Sequence, residues 1–148
     1  MPCDPTIAYG RSKTANMLSA VEFDRRRRAR GGRATALHPG GIMTELGRDL
    51  ELGELEATVE RINAQLAAER QPPFRFKTIP QSAATSVRAA FLAPAEAVGG
   101  RYCENCRVSE VTEGLIGPVS PGVRPYAIDP AHAAVLWARS EELVGERV

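Results

Sequence analysis

The sequence has few lysines and no long apolar run, and each shortage excludes a class of protein. Lys13 and Lys77 are its two lysines among 148 residues, so a lysine at a motif position carries weight. The net charge of +1 argues against non-specific nucleic-acid binding, which needs many clustered cations. No stretch approaches the roughly 20 apolar residues of a membrane-spanning helix. The balance of 43% hydrophobic and 25% charged residues is that of a globular domain.

The small cysteine count and the start of the chain favour a cytoplasmic protein. Three cysteines, an odd number, fit a reducing compartment better than a disulfide framework. The first residues, Met-Pro-Cys-Asp-Pro, lack the basic and apolar regions of a signal peptide. We therefore expect a cytoplasmic location.

Apolar periodicity and turn residues predict an α/β order of four helices and two strands. The predicted helices cover 8–29, 50–69, 80–92 and 130–143, and the predicted strands cover 33–37, which is expected to be buried, and 99–104. Two strands form at best a marginal sheet, so the pattern predicts a piece of a larger one. No repeat or second-domain boundary is visible, so residues 1–148 are interpreted as a single partial domain.

Tyr9 and Lys13 are a candidate acid–base pair on the first predicted helix. A spacing of four residues places both side chains on one helical face. A tyrosine in water has a pKa of about 10, and a nearby ammonium lowers it by favouring the phenolate. Such a pair can exchange a proton with a substrate oxygen, as interconversion of an alcohol and a carbonyl by hydride transfer requires. The same spacing also arises by coincidence, so the pair depends on its context.

The context resembles the short-chain dehydrogenase/reductase family at two motifs. The run from Tyr9 to Asn16 is similar to the family's Tyr-x-x-x-Lys active-site helix. The run from His38 to Thr44 is similar to its Pro-Gly turn with a following Ile-x-Thr, and the helix and strand between the motifs have the expected kind and length. The wording of both motifs looks most like the retinol-dehydrogenase-like branch, and the resemblance covers nearly the whole chain.

The resemblance implies a fold, a cofactor and a role for each matching residue. The fold would be the C-terminal part of a Rossmann-type doubly wound parallel sheet, and the cofactor NAD or NADP. Tyr9 would be the general acid/base, and Lys13 would assist it and hydrogen-bond the nicotinamide ribose. The turn residues that would border the nicotinamide end of the cofactor are Pro39, Gly40, Ile42 and Thr44.

The same resemblance implies the partners of the protein. The substrate would be a small alcohol or carbonyl compound, and no metal is implied. Family members commonly associate through the Tyr-x-x-x-Lys helix, so a homo-oligomer is expected. The helix over 50–69 would cover the substrate, although an amphipathic packing helix has the same pattern.

The N-terminal cofactor-binding strands of the family have no counterpart in this sequence. Eight residues precede Tyr9, and they include neither the family's glycine-rich turn nor its active-site serine. A truncated gene, a misplaced start codon and a split gene would each explain this. We expect the strand over 33–37 to expose an unpaired edge, and the isolated chain to be poorly stable with little or no activity.

Two further interpretations come from other classes of protein. A non-catalytic fragment would act only by association, through the Tyr-x-x-x-Lys helix and the exposed sheet edge. Cys103 and Cys106 have the spacing of a thiol redox pair or half a zinc site, but the remaining cysteine and the two histidines form no paired motif. The arginine run over 25–30 indicates a solvated helix end, where cations complement the helix dipole, more than a phosphate site.

Overall fold

The computed structural model describes residues 4–45, 52–114, 119 and 121–147, which form an α/β fold. The α-helices are α1 (Pro5–Arg27), α2 (Leu52–Ala68), α3 (Ile79–Val87), α4 (Ala95–Val98) and α5 (Pro130–Val144). The strands are β1 (Ala36–His38), β2 (Tyr102–Glu104) and β3 (Arg107–Val108). Among the helices of the described ranges, none has the length and apolarity that crossing a membrane requires.

Local sequence signals define both ends of α1. An Asp4 carboxylate oxygen accepts hydrogen bonds from the backbone N–H groups of Thr6 (2.8 Å) and Ile7 (3.2 Å). Pro5 takes the first helical position, where its missing N–H is not needed. The helix therefore begins three residues before the predicted start at residue 8. The sequence pattern suggests a loop at this proline, which is instead the first residue of the helix. Gly31, with a left-handed φ of 78°, ends the short 3-10 turn Arg28–Arg30 that follows α1.

The three strands form one small mixed sheet in the order β1-β2-β3. β1 and β2 are parallel, with His38 opposite Glu104. β3 returns antiparallel to β2 through a tight turn at Asn105 and Cys106, whose φ values are 47° and 59°. The expectation of a purely parallel sheet is therefore wrong at β3, a two-residue strand that leaves no periodic pattern in the sequence.

β1 is an edge strand, and the prediction of a buried strand over 33–37 is wrong in extent and in burial. Ala36 and Leu37 are half-buried, and His38 is exposed. Within the described part of the chain, β2 is the sole sheet neighbour of β1. Its apolar side chains are therefore only partly covered, and among the described residues one edge of its backbone has no strand partner.

The buried core lies where α1 packs against α5. Leu18 and Val21, which lie one helical turn apart on α1, are buried together with Ala133 of α5. Ile128 and Leu136 pack against them and are partly buried. Burial of a leucine or valine contributes about 1.5 to 3 kcal/mol, so this contact holds α1 in place.

The middle helices follow the predicted pattern closely. α2 lies within the predicted range 50–69, of which residues 50 and 51 are outside the described residues. Four apolar residues at helical spacing along α2 are half-buried: Leu55, Val59, Ile62 and Leu66. α3 starts at a capping box of Thr78 and Gln81 and continues as a single π-helical turn, Arg88–Leu92. The predicted strand over 99–104 shortens to β2 because Gly99 and Gly100 form the turn before it.

Candidate active site

The residues of the two motifs border one cleft of about 850 Å³ between the start of α1 and the segment after β1. Every predicted site residue contributes to its wall: Tyr9, Lys13, Pro39, Gly40, Ile42 and Thr44. His38 and Tyr102 lie beside them. The fold thus brings together side chains that the sequence separates by most of a helix and a strand.

Tyr9 and Lys13 form a contacting pair at the mouth of this cleft. The ammonium nitrogen of Lys13 lies 5.0 Å from the centroid of the Tyr9 ring, a distance at which cation and ring attract each other. The tyrosine is 61% exposed, so its ring is open to the cleft. The Ser12 hydroxyl donates a hydrogen bond to the Tyr9 backbone carbonyl (2.7 Å) within the same helix. The pair therefore presents a tyrosine and a cation to a ligand.

Close packing explains both glycines of the turn after β1. Gly40 has a φ of 97°, in the region that residues with a side chain rarely adopt. A Cβ atom at Gly40 would lie 2.7 Å from carbons of the Lys77 side chain, and one at Gly41 would lie 2.7 Å from the Phe74 ring. The atoms beside both glycines belong to residues 74–77.

A second cleft of about 590 Å³ lies on the other side of the turn. It shares His38, Gly40, Gly41 and Tyr102 with the first cleft, so the two are contiguous. Most of the apolar residues of its wall come from α2 and the segment after it: Leu55, Val59, Ile62, Phe74 and Phe76. α2 therefore supplies apolar side chains to a cleft that adjoins the motif cleft.

Tyr102 and Glu104 are site residues that sequence reasoning missed. They lie two positions apart on β2, and this alternation places both on one face of the sheet, at the second cleft. Burial, and then the charge of Glu104, raises the pKa of Tyr102 to about 12, so its hydroxyl stays protonated at neutral pH. Glu104 is buried and accepts hydrogen bonds from the Gly122 N–H (2.8 Å) and the Ser109 hydroxyl. The period-two spacing was the available signal, but a three-residue strand is too short to reveal it.

Cys103 and Cys106 are free thiols that contact different threonines. The Cys103 sulfur is buried 3.6 Å from the Thr35 hydroxyl, and the Cys106 sulfur lies 3.8 Å from the Thr85 hydroxyl. The described ranges contain no group of three or more His, Cys, Asp or Glu side chains arranged to hold a metal. The hairpin turn between β2 and β3 accounts for their spacing.

Two fully buried carboxylates lie in the second half of α1, behind the cleft. Glu22 binds Arg25 (2.6 Å) and Arg26 (2.8 Å). The hydrogen bond from Arg25 is the main cause that lowers the pKa of Glu22 to about 2, and burial opposes the shift. The arginine run is therefore more than the solvated helix end that the sequence suggested.

Asp24 ties the same helix to the sheet. It binds Arg28 (2.9 Å) and Arg33 (2.7 Å), the latter just before β1. Burial alone would raise the pKa of Asp24, but the hydrogen bonds from Arg33 and the Ala34 backbone, with the arginine charges, lower it. Both carboxylates are thus held in their charged form by neighbouring cations.

Comparison with known proteins finds longer relatives that are named as oxidoreductases. Oxidoreductase calI of Penicillium decumbens is 37% identical over 146 residues, which are 96% of this chain and 40% of that protein. A probable oxidoreductase of Streptomyces lividans is 38% identical over 138 residues, 92% of this chain and 44% of that protein. The short-chain dehydrogenase/reductase prx1 of Penicillium roqueforti is 34% identical over 142 residues, 95% of this chain and 39% of that protein.

These relatives are much longer than the chain. The chain spans about two fifths of the length of the curated relatives it matches, and it matches their C-terminal portion. Neither a family model nor a solved structure matches it. The comparisons therefore show similarity to the C-terminal portion of proteins named oxidoreductase or short-chain dehydrogenase/reductase.

Proposed function

The chain is homologous to the C-terminal portion of proteins of the short-chain dehydrogenase/reductase family, and on this premise we propose a specific role for its cleft. The cleft supplies the proton-transferring side of the active site in an NAD- or NADP-dependent oxidoreductase. The reaction interconverts an alcohol and a carbonyl compound. The observation that carries the proposal is that the six predicted site residues border one cleft although two separate segments supply them.

The cleft has the size and the groups that the nicotinamide end of the cofactor requires. Its volume of about 850 Å³ lies within the usual range of ligand pockets. Lys13 offers a cation for the ribose hydroxyls, and Thr44 offers a hydroxyl near the turn. Pro39, Gly40 and Ile42 would form the wall beside the ring. When bound, the nicotinamide would supply or accept the hydride.

In this proposal Tyr9 moves the proton. Its hydroxyl donates a proton to the carbonyl oxygen when the carbon receives the hydride, and takes the proton from the hydroxyl group in the reverse direction. Lys13, in contact with the Tyr9 ring, stabilises the tyrosine while it is deprotonated. The contiguous second cleft, with its apolar wall from α2, would hold the body of the substrate and exclude water.

The proposal also covers the fold of the whole sheet, the cellular location and the oligomeric state. The chain is proposed to be a single partial domain of a Rossmann-type doubly wound sheet, with a further parallel strand pairing at the open edge of β1. The support for this is the edge position of β1 and the share of the relatives' length that the chain spans. Cytoplasmic location and a homo-oligomer paired through α1 complete the proposal, and we expect the 148 residues alone to show little turnover.

The test is turnover in the protein that contains this chain, with Tyr9→Phe as the variant. We expect kcat for reduction of simple alkyl and aryl ketones to fall about 100- to 10,000-fold, because the proton donor is lost. The reaction is followed by oxidation of NADH and of NADPH. The thermal unfolding transition should not move, since Tyr9 is exposed.

Tyr126→Phe is the matched control. Tyr126 is 55% exposed and does not border the motif cleft, so its loss should leave turnover unchanged. Full activity of Tyr9→Phe would remove the proposed role of Tyr9 as the proton donor.

A further inference from the structure

Lys77 joins three segments of the chain beside the motif turn, and neither motif includes it. Its backbone N–H donates to the Gly41 carbonyl (2.8 Å), and Ile42 pairs with it in a parallel bridge. Its ammonium donates to the Pro39 carbonyl (3.3 Å) and to the side-chain oxygen of Asn105 (2.7 Å). One side chain therefore connects the turn after β1, the turn between β2 and β3, and the segment before α3.

The stem of this lysine also fills the space beside the turn. A Cβ atom at Gly40 would lie 2.7 Å from both Cδ and Cε of Lys77, so the stem occupies the place of a side chain. Asn105 has a φ of 47°, a conformation that asparagine tolerates better than most residues. The glycine, the lysine stem and the asparagine amide thus pack as one unit at the boundary of the two clefts.

We propose that Lys77 is a positioning residue that fixes the Pro39–Gly40–Gly41 turn against the sheet at the cleft of Tyr9 and Lys13. This rests on the proposed function, in which the turn borders the nicotinamide. Without the ammonium, the Pro39 carbonyl and the Asn105 oxygen lose a charge-assisted hydrogen bond, and the turn is free to shift. A misplacement of about 1 Å at reacting groups costs up to about 100-fold in rate.

The first test is hydrogen exchange, which needs no substrate. Lys77→Met keeps the stem and removes the ammonium. Arg75→Met is the matched control, because it removes a cation two positions away that lines the same second cleft. We expect the amide of residue 77, which is bonded to Gly41, to exchange about 10-fold faster in Lys77→Met and at its normal rate in Arg75→Met.

The same experiment distinguishes positioning from general stability. Amides of α1 and α5 should keep their exchange rates in Lys77→Met, because the lysine lies outside that core. Unchanged exchange at residue 77 would overturn the proposal. Equal acceleration throughout the chain would overturn it as well, since it would show a loss of global stability.

Two further variants test the bond itself. Asn105→Gly keeps the positive φ and deletes the acceptor, so it should add little to the exchange of a chain that already carries Lys77→Met. Fully additive effects of the two changes would contradict a shared bond. Lys77→Arg retains a cationic donor and should restore part of the protection, and failure to do so with normal folding would count against the proposal.

The functional readout uses the protein that contains this chain. We expect Lys77→Met to lower kcat/KM about 10-fold at unchanged melting temperature. Arg139→Met is the control for this readout, because Arg139 is an exposed cation on α5 that lines neither cleft, and it should leave kcat/KM unchanged. If Tyr9→Phe is fully active, the proposed function fails while the exchange result still decides the role of Lys77. If Tyr9→Phe is inactive but Lys77→Met has normal exchange and normal kcat/KM, the positioning role fails alone.

Discussion

The two halves of α1 differ in burial and in chemistry. The first half carries Tyr9 and Lys13 at an open cleft, where a ligand can reach them. The second half carries Leu18 and Val21 in the core and buried carboxylates such as Asp24. One helix thus presents reactive groups at one end and is held at the other, so rigid packing can fix a site that is itself exposed.

The second half of α1, here called the anchored half, contacts the segments that precede both parallel strands. Asp24 binds Arg33 just before β1, and the Gly100 N–H donates to the Ala34 carbonyl (2.8 Å) just before β2. Gly99 has no room for a Cβ atom, because the Arg33 and Asp24 side chains occupy that space. The position of the cleft relative to the sheet therefore depends on groups that no ligand touches.

Leu18→Ala is expected to have the largest effect on the anchored half. The side chain is 9% exposed in the contact between α1 and α5, so its truncation should lower the free energy of unfolding by about 2 to 3 kcal/mol. Urea denaturation followed by circular dichroism measures this. Leu143→Ala is the control, since that residue of α5 is 71% exposed and its loss should cost less than about 0.5 kcal/mol. Equal losses would show that the core lies elsewhere.

Acid should weaken the anchored half by a smaller amount. The pKa of Glu22 is lowered from 4.5 to about 2 by its arginine partners, so its contribution is present above pH 4.5 and is lost as the pH falls towards 2. The lowered pKa of Asp24 acts in the same direction. We expect the melting temperature to drop by several degrees between about pH 5 and pH 3.

Glu22→Gln sharpens this prediction. The variant should be less stable at neutral pH, and its melting temperature should change less across the acid range, because one of the two carboxylates no longer titrates. The same acid dependence in the wild-type chain and in Glu22→Gln would exclude Glu22 as a source of the effect.

The sequence predicts the two halves of α1 unequally well. The Tyr9–Lys13 spacing indicates chemistry, and periodicity indicates the burial of Leu18 and Val21. Nothing local indicates that Glu22 and Asp24 are buried, because acidic residues beside arginines on a helix usually face solvent. Segments distant in sequence cover them, so only the tertiary structure shows their role.

The sheet shows the same limit. The strands β1 and β2 are predicted from the local pattern, and the resemblance to the family implies their parallel arrangement. β3 is not predicted, because its turn has Asn105-Cys106 where the common hairpin signal is Asn-Gly. The Cys-x-x-Cys spacing that suggested metal or redox chemistry comes from this turn. The role of Lys77 cannot be predicted from local sequence either, because its hydrogen-bond partners Pro39 and Asn105 are each 28 or more positions away.

Binding of NADH and NADPH to Lys13→Met and Tyr9→Phe tests the central claim, a nicotinamide site in the motif cleft, most directly. Fluorescence titration of the protein that contains this chain gives the Kd for each variant. We expect Lys13→Met to raise the Kd about 10-fold and Tyr9→Phe to change it less than about twofold, because only the lysine is proposed to hold the ribose. The same Kd for wild type and Lys13→Met would contradict a nicotinamide site in this cleft.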